Sequence, residues 1–334
     1  MAQVQISDVI VPSEFTQYQF ENSMVNTAMF QSGVVLPNGE MQAQLNAGAQ
    51  SFTVPFWADL SDTEADITTD VLATLSTPQK IGAAEMIVRK SFLHASWSEM
   101  SLASELSGSS ALERIQSRVL AYWDRQWEKR LIASLMGVLY SNVANNGGDM
   151  TTDIHLTGGG SPTVVNLLNG AAVINTALTL GDRLNDMKMI AMHSHVYSYA
   201  LINDEITFFK PSVNSLDIPT YKGMGVIVDD SLVTSTAGVY ITVLFGPGAV
   251  GFAVAPPRTG FGTEIWRVPS AGNGGGSTTL HSRFDLAIHP LGFAWTNASV
   301  ASVSPTQAEL ALAANWTRAY SQRKSVPIAF LISN

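Results

Sequence analysis

SALERIQSRVLAYWDRQWEKRLIASLMGVLYSNV, residues Ser110 to Val143, decides how this chain folds. Ser110 stands three residues before Glu113, the spacing at which a hydroxyl and a carboxylate each satisfy an orphan backbone N–H at a helix start. Leu112, Ile115, Val119, Tyr122 and Trp123 then share one face, with Glu113, Arg114, Arg118 and Arg125 off it. From Leu131 to Leu139 the sequence turns apolar almost all round. A helix of this length spans about 50 Å at roughly 1.5 Å per residue, so one element starts at a surface and ends in a core. Its five bases, Arg114, Arg118, Arg125, Lys129 and Arg130, exceed its three acids, Glu113, Asp124 and Glu128.

Upstream the charge pattern inverts. The first 79 residues hold no lysine or arginine yet carry nine acids, and Lys80 is the first base. The net charge of −9 therefore belongs entirely to this opening quarter, whose complementary charge must lie elsewhere, on solvent ions or on another copy of the molecule. Residues 1 to about 48 mix Phe15, Tyr18, Phe20 and Phe30 with Gln, Asn and Ser, show a short helix-like pattern around Phe15 to Phe30, and read as an arm. Ser51-Phe52-Thr53-Val54-Pro55-Phe56-Trp57 alternates like a strand, an acidic stretch runs through Asp70, and Lys80 to Trp97 is strand-like again. Two strands joined by an acidic tip form a long hairpin. An isolated two-stranded ribbon is marginal in water, so this one is expected to lie on something.

Charged residues make up 13% of the chain against roughly 25% in an ordinary soluble domain, while the apolar fraction of 46% is ordinary. The missing charge comes off the surface. Either neighbouring copies cover much of the exterior, or that exterior is neutral and rich in Ser, Thr, Asn and Gln. Cysteine is absent, which removes disulfides and thiolate metal sites. The start, Met1-Ala2-Gln3-Val4, lacks the basic and apolar regions of a signal peptide, so synthesis in a reducing cytosol is expected. Ser231 to Pro257 is uncharged, but Gly246-Pro247-Gly248 breaks it, and no membrane partner is expected.

Downstream of a Gly/Asn/Thr-rich break from Asn145 to Ser161, the sequence predicts a separate α/β domain. Val164 to Leu180 reads as a helix, Met187 to Met192 as a buried strand, and Ser194 to Asp204 as a helix opened by a serine cap. Tyr221 to Val228, Val239 to Phe245 and Ala249 to Ala255 read as strands. The chain closes with strand-like Leu280 to Leu291, an apolar stretch to Trp316, and a short basic tail of Arg318, Arg323 and Lys324 that reads as a solvated edge.

Few residues point to chemistry. His193-Ser194-His195 is the best metal candidate if the two imidazoles project the same way from a strand, but no third ligand sits at a recognisable spacing and a role at the helix start is the plainer reading. Gly158-Gly159-Gly160-Ser161 and Gly274-Gly275-Gly276-Ser277 lack the lysine of a phosphate loop and read as connections. Asp229-Asp230 has the spacing of an acid and base pair, yet its place between a strand and Ser231 suits turn residues. No catalytic residue, cofactor or metal is expected.

Several segments in order carry a resemblance: Tyr122-Trp123-Asp124-Arg125-Gln126-Trp127-Glu128-Lys129-Arg130-Leu131 continuing to Val138; Met192-His193-Ser194-His195-Val196-Tyr197; Ile218-Pro219-Thr220-Tyr221-Lys222-Gly223 continuing to Asp230; Leu244-Phe245-Gly246-Pro247-Gly248-Ala249; Thr263-Glu264 with Arg267; and Ile288-His289-Pro290-Leu291-Gly292-Phe293. Together they resemble major capsid proteins of tailed bacteriophages, over nearly the whole chain. The resemblance implies an α+β fold of the HK97 type: an N-terminal arm (1–48), an extended E-loop hairpin (49–97), a peripheral domain (98–160) with a spine helix at about 110–143, an axial domain (161–280), and a return to the peripheral domain (281–334).

It also implies a function. Family members form pentamers and hexamers that close into an icosahedral shell around packaged double-stranded DNA, with portal, scaffolding and decoration proteins as partners, in a virion assembled in the host cytoplasm. Some relatives crosslink through an E-loop lysine. Here the tip has none, so covalent crosslinking is not expected, and with no long helical prefix any scaffolding role is expected to reside in another protein or to be dispensable. The expected inter-subunit contact sets Asp59, Asp62, Glu64, Asp66 and Asp70 of one copy against Arg114, Arg118, Arg125, Lys129 and Arg130 of the next. Contact with DNA is expected to be weak and nonspecific. Two other readings remain open: a cellular nanocompartment shell of the same fold, and a metal-dependent hydrolase using His193 and His195.

Overall fold

The structure, a computed structural model, describes residues 28–71, 73–158, 160–209 and 218–334. The helix-like pattern around Phe15 falls mostly outside them. What the described residues show of the arm begins at the short helix Ala28–Gln31 and continues through Gly39–Leu45, which Asn38 caps by accepting from the Glu40 and Met41 amides.

The long helix runs Ala111–Asn145, and the Ser110 hydroxyl accepts from the Glu113 amide at 3.2 Å. Its first half lies half-buried on a five-stranded sheet. That sheet is organised by the strand Ser277–Pro290, which has Ser91–Met100 along one edge and Val250–Ala255 and Thr263–Val268 end to end along the other. Val35–Pro37 adds a parallel strand beside Val250–Ala255. Aromatic rings stitch helix to sheet: Trp97 meets Tyr122 at 5.1 Å, Trp123 meets Phe284 at 5.2 Å, and Trp127 lies 5.8 Å from both Phe284 and Phe252. Trp123 and Trp127 both reach Phe284 on the strand Ser277–Pro290 because residues four apart share a helix face. The Trp123 indole N–H donates to Ser282 Oγ at 2.9 Å, so the ring is buried without an unmet donor.

The second half of the helix is buried because a second sheet covers it. This sheet has seven strands in the order Thr151–Asp153, Ile328–Ser333, Tyr240–Phe245, Met189–Met192, Met224–Val228, Ile218–Tyr221, Ile206–Phe209. Both its faces are covered, so its central strands read as unbroken apolar runs. Ala191, Val243, Phe245 and Phe330 pack toward Leu131, Leu135, Val138 and Leu139. Their neighbours Ile190, Met192, Leu244 and Leu331 pack the other way, onto Val173, Ala177 and Val196. Close approach sets one residue: a Cβ at Gly137 would stand 2.2 Å from the Leu310 carbonyl oxygen and 2.4 Å from Trp316 Nε1.

Ser51–Trp57 pairs antiparallel with Ala83–Arg89, which makes the hairpin. The strand-like run to Trp97 is two strands, not one. It breaks at Lys90, and Ser91–Met100 joins the five-stranded sheet, so the hairpin ends at Arg89 rather than at 97. Lys90 fixes the switch: its buried ammonium donates to the carbonyls of Leu45 and Ala47 at 3.3 and 2.6 Å. Phe52, Val54 and Val88 seat the hairpin base on Met41, Leu45 and Ala287, and Phe56 meets Tyr320 edge-on at 4.8 Å.

Other boundaries also move. Residues 249–280, expected in the axial domain, supply strands to the five-stranded sheet, while Ile328–Ser333, expected with the peripheral return, lies inside the seven-stranded one. Val164 to Leu180 is a short 3-10 turn followed by a helix Gly170–Leu178 that starts afresh on an Asn169 cap. Tyr221 to Val228 is the end of one strand and the whole of the next, joined by a tight turn with Lys222 and Gly223 at positive φ.

Candidate assembly surface

Beyond Trp57 and Ala83 the hairpin carries no regular element among its described residues. Asp59, Asp62, Glu64, Asp66 and Asp70 are all exposed there, and none forms an ion pair with a described residue. Large apolar side chains stand exposed between them: Ile67 at 87%, Leu75 at 84%, Trp57 at 71%, with Leu60 and Val71. Burying one such side chain is worth about 1.5–3 kcal/mol, and no described residue of this chain buries them. The charge pattern of the sequence points to the acids and not to these side chains. Their signal was present in the alternation of acid with Leu60, Ile67 and Val71.

The bases of the long helix divide. Lys129 is exposed and Arg114, Arg118 and Arg125 are half-buried. Arg130 is not available to another copy: it is 6% exposed and its guanidinium donates to Ser91 Oγ at 3.0 Å and to the Pro305 carbonyl. Burial also pulls its pKa down to about 10. Periodicity accounts for this, since Arg130 sits about one turn past Trp127 and two past Trp123, on the face that meets the sheet. Glu128, one of the helix's three acids, is buried too. A single chain does not bring the tip acids and the helix bases together.

Two of the segments that carried the resemblance are joints of the fold. Gly246-Pro247-Gly248 is where the chain leaves the seven-stranded sheet for the five-stranded one, with the Gly246 amide donating to the Pro327 carbonyl at 2.8 Å. A Cβ at Gly246 would stand 2.9 Å from Pro327 Cβ. Pro290-Leu291-Gly292 ends the longest strand, and Gly292 at φ 87 turns it into Phe293–Trp295. Glu264 pairs with Arg283 across neighbouring strands at 3.2 Å.

His193 and His195 do not lie on a strand. His193 Nδ1 caps the helix Ser194–Ile202 by accepting from the His195 amide at 3.0 Å, which corrects the expected serine cap. Its Nε2 faces Asp230 Oδ1 at 3.9 Å, and both imidazoles pack on Tyr240. One His193 nitrogen is thus engaged by the backbone, and no group of three His, Cys, Asp or Glu suited to a metal ion occurs among the described residues. Asp229 is the turn residue expected of it, its Oδ1 accepting from the Ser231 amide at 2.7 Å.

With this geometry in view, two sequence likenesses identify the chain. The major capsid protein 13-like family matches residues 129–327, from the middle of the long helix to the last joint. The major capsid protein of Bacillus phage SPP1 is 35% identical over 97% of this chain and 96% of its own length. The chain belongs to the major capsid protein 13-like family. Solved structures agree on the fold of this phage major capsid protein. The capsid of cyanophage Pam1 superposes with a TM-score of 0.59 at 10% identity, covering 96% of each chain. The SrpI encapsulin of Synechococcus elongatus gives 0.52 at 9% identity, covering 99% of this chain and 95% of that one. The fold is the HK97 type, with Ala111–Asn145 as its spine helix and Ser51–Arg89 as the strands of its E-loop.

Proposed function

We propose that copies of this capsid protein form pentamers and hexamers that close into an icosahedral shell around double-stranded DNA, with no catalytic step of their own. One observation carries the reading: the E-loop base is packed on its own chain, while the tip presents apolar side chains and unpaired acids to no described residue. The tip of one copy lies on its neighbour, where Ile67, Leu75 and Trp57 supply most of the free energy by burial and Asp59, Asp62, Glu64, Asp66 and Asp70 set the orientation against Arg114, Arg118, Arg125 and Lys129. Each exposed charge pair contributes about 0–1 kcal/mol, and repetition over a shell makes the sum count.

A net charge of −9 with an acidic hairpin disfavours strong phosphate binding, so contact with packaged DNA is weak and nonspecific. Portal, scaffolding and decoration proteins would complete the particle in the host cytoplasm. The encapsulin likeness concerns the fold alone, and 35% identity to a phage capsid protein favours a genome over an enzyme as the content. Electron microscopy of the expressed protein tests the reading. Rings of five and six subunits or hollow shells support it, and monodisperse single chains at high concentration overturn it.

A further inference from the structure

Glu128 of the spine helix and Asp229, just past the strand Met224–Val228, meet in the interior at 3% and 6% exposure. Each carboxyl has one oxygen occupied. Glu128 Oε1 accepts from the Met29 amide at 3.0 Å, and Asp229 Oδ1 accepts from the Ser231 amide. The other two, Glu128 Oε2 and Asp229 Oδ2, are buried without a donor, and the two side chains are in hydrogen-bonding contact. Two ionised carboxylates in such a place would repel strongly with nothing to offset them. No described lysine, arginine or histidine forms an ion pair with either. Among the described residues the one charged group acting on Glu128 is Asp229, and the amides of Met29 and Phe30 also act on it, at the point where the arm packs on this strand.

We propose that Glu128 and Asp229 share a single proton, and that this Oε2–H···Oδ2 bond is a pH-sensitive latch holding the Ala28–Gln31 segment of the arm against the spine helix. One proton satisfies both orphan oxygens at once and removes the repulsion between two facing anions. Removing it by base leaves two facing anions, whose cheapest relief is for one carboxylate to turn toward water. If Glu128 turns, the Met29 amide loses its acceptor and the arm loses its anchor.

The sign follows from linkage. Burial first, then the Asp229 carboxylate, pushes the Glu128 pKa from 4.5 up to about 8, against the opposing pull of the Met29 and Phe30 amides. Between the unfolded and folded values the native state holds a proton that the unfolded state has released. The stabilisation is complete below the unfolded value, falls as pH rises through the window, and is gone above the folded value. In Glu128→Gln the side-chain amide donates to Asp229 Oδ2 at every pH while its oxygen still accepts from Met29.

The test uses the full chain, wild type and E128Q, in thermal or denaturant unfolding from roughly pH 5 to 9, with hydrogen exchange of the peptide covering Met29 and Phe30 and infrared spectra at neutral pH. The latch predicts that the folded-to-unfolded ratio of wild type, relative to E128Q, falls about tenfold per pH unit inside the window. It also predicts that the Met29 and Phe30 amides lose protection at alkaline pH in wild type only, and that a protonated-carboxyl carbonyl band at neutral pH vanishes in E128Q. The same pH dependence in both proteins, or no such band in wild type, overturns it. Asp229→Asn, which donates to Glu128, replaces E128Q if the latter does not fold, and the wild-type infrared band decides alone if neither does.

Discussion

The spine helix and the E-loop tip are opposite solutions to the same burial problem. From Leu131 to Asn142 the helix is walled by two sheets of its own chain, and even its awkward groups are accommodated: Ser141 Oγ donates to the Trp316 carbonyl, and Arg130 donates to Ser91 and Pro305. The tip between Trp57 and Ala83 has comparable apolar side chains and no wall among the described residues. The difference lies in which contacts a copy makes alone and which it leaves for others. Substitutions in the helix should therefore act on folding, and substitutions in the tip on assembly, with little crossover.

The largest effect should come from Gly137→Ala. At an exposed helical site this change gains stability, up to about 1 kcal/mol. Here the added methyl meets the Leu310 carbonyl and the Trp316 indole, and a loss of about 3 kcal/mol or more is expected, read as a lower thermal midpoint of the unassembled chain or as insoluble protein. A stabilised variant would mean that the helix does not approach Trp316 this closely.

Arg130→Met comes next, with a loss of roughly 1.5–3 kcal/mol in the unassembled chain because two buried acceptors lose a charged donor. Lys129→Met, one residue away and exposed, should change chain stability by no more than about 0.5 kcal/mol. Denaturant unfolding of the pair separates them. Equal effects would erase the line between structural and assembly bases on this helix.

Ile67→Ser and Leu75→Ser should leave the unfolding midpoint of the single chain within about 0.5 kcal/mol of wild type. Each should weaken assembly by about 2 kcal/mol per contact, measured as a raised concentration threshold for particle formation. Replacing Asp62, Glu64 and Asp66 with lysine should have the smallest effect per contact, about 0–1 kcal/mol, and should fade as salt rises. It is read as a lower thermal transition of the particle at low ionic strength. A charge effect larger than the apolar one, or one insensitive to salt, would reverse the ranking proposed for the tip.

Much of this contrast is legible in the chain itself. The spacing of Leu112, Ile115, Val119 and Trp123 gives the helix, the Ser110 cap gives its start, and the alternation around Val54 gives the hairpin. Sequence reading fails where pairing is remote. That Ile328–Ser333 inserts beside Tyr240–Phe245, and that Ser277–Pro290 lines up against Ser91–Met100, depends on partners far away in the chain, and no local period encodes it. Charges mislead for a related reason. Glu128 and Arg130 look like solvent-facing members of a helical charge pattern until the sheet that covers them is in place. Of the candidate site, the acids of the tip are legible from composition alone, whereas its apolar side chains gain meaning only once the structure shows no described residue covering them.

The central claim is that the E-loop tip completes its burial on another copy. Because the chain has no cysteine, a single Ile67→Cys carrying a photoreactive crosslinker reports its neighbours without background. In assembled particles mixed from isotopically light and heavy chains, mass spectrometry should find the tip joined between copies, to peptides that include the helix segment from Arg114 to Lys129, and unassembled chains should lack these products. Crosslinks confined to the tip's own chain, or identical before and after assembly, would contradict the account.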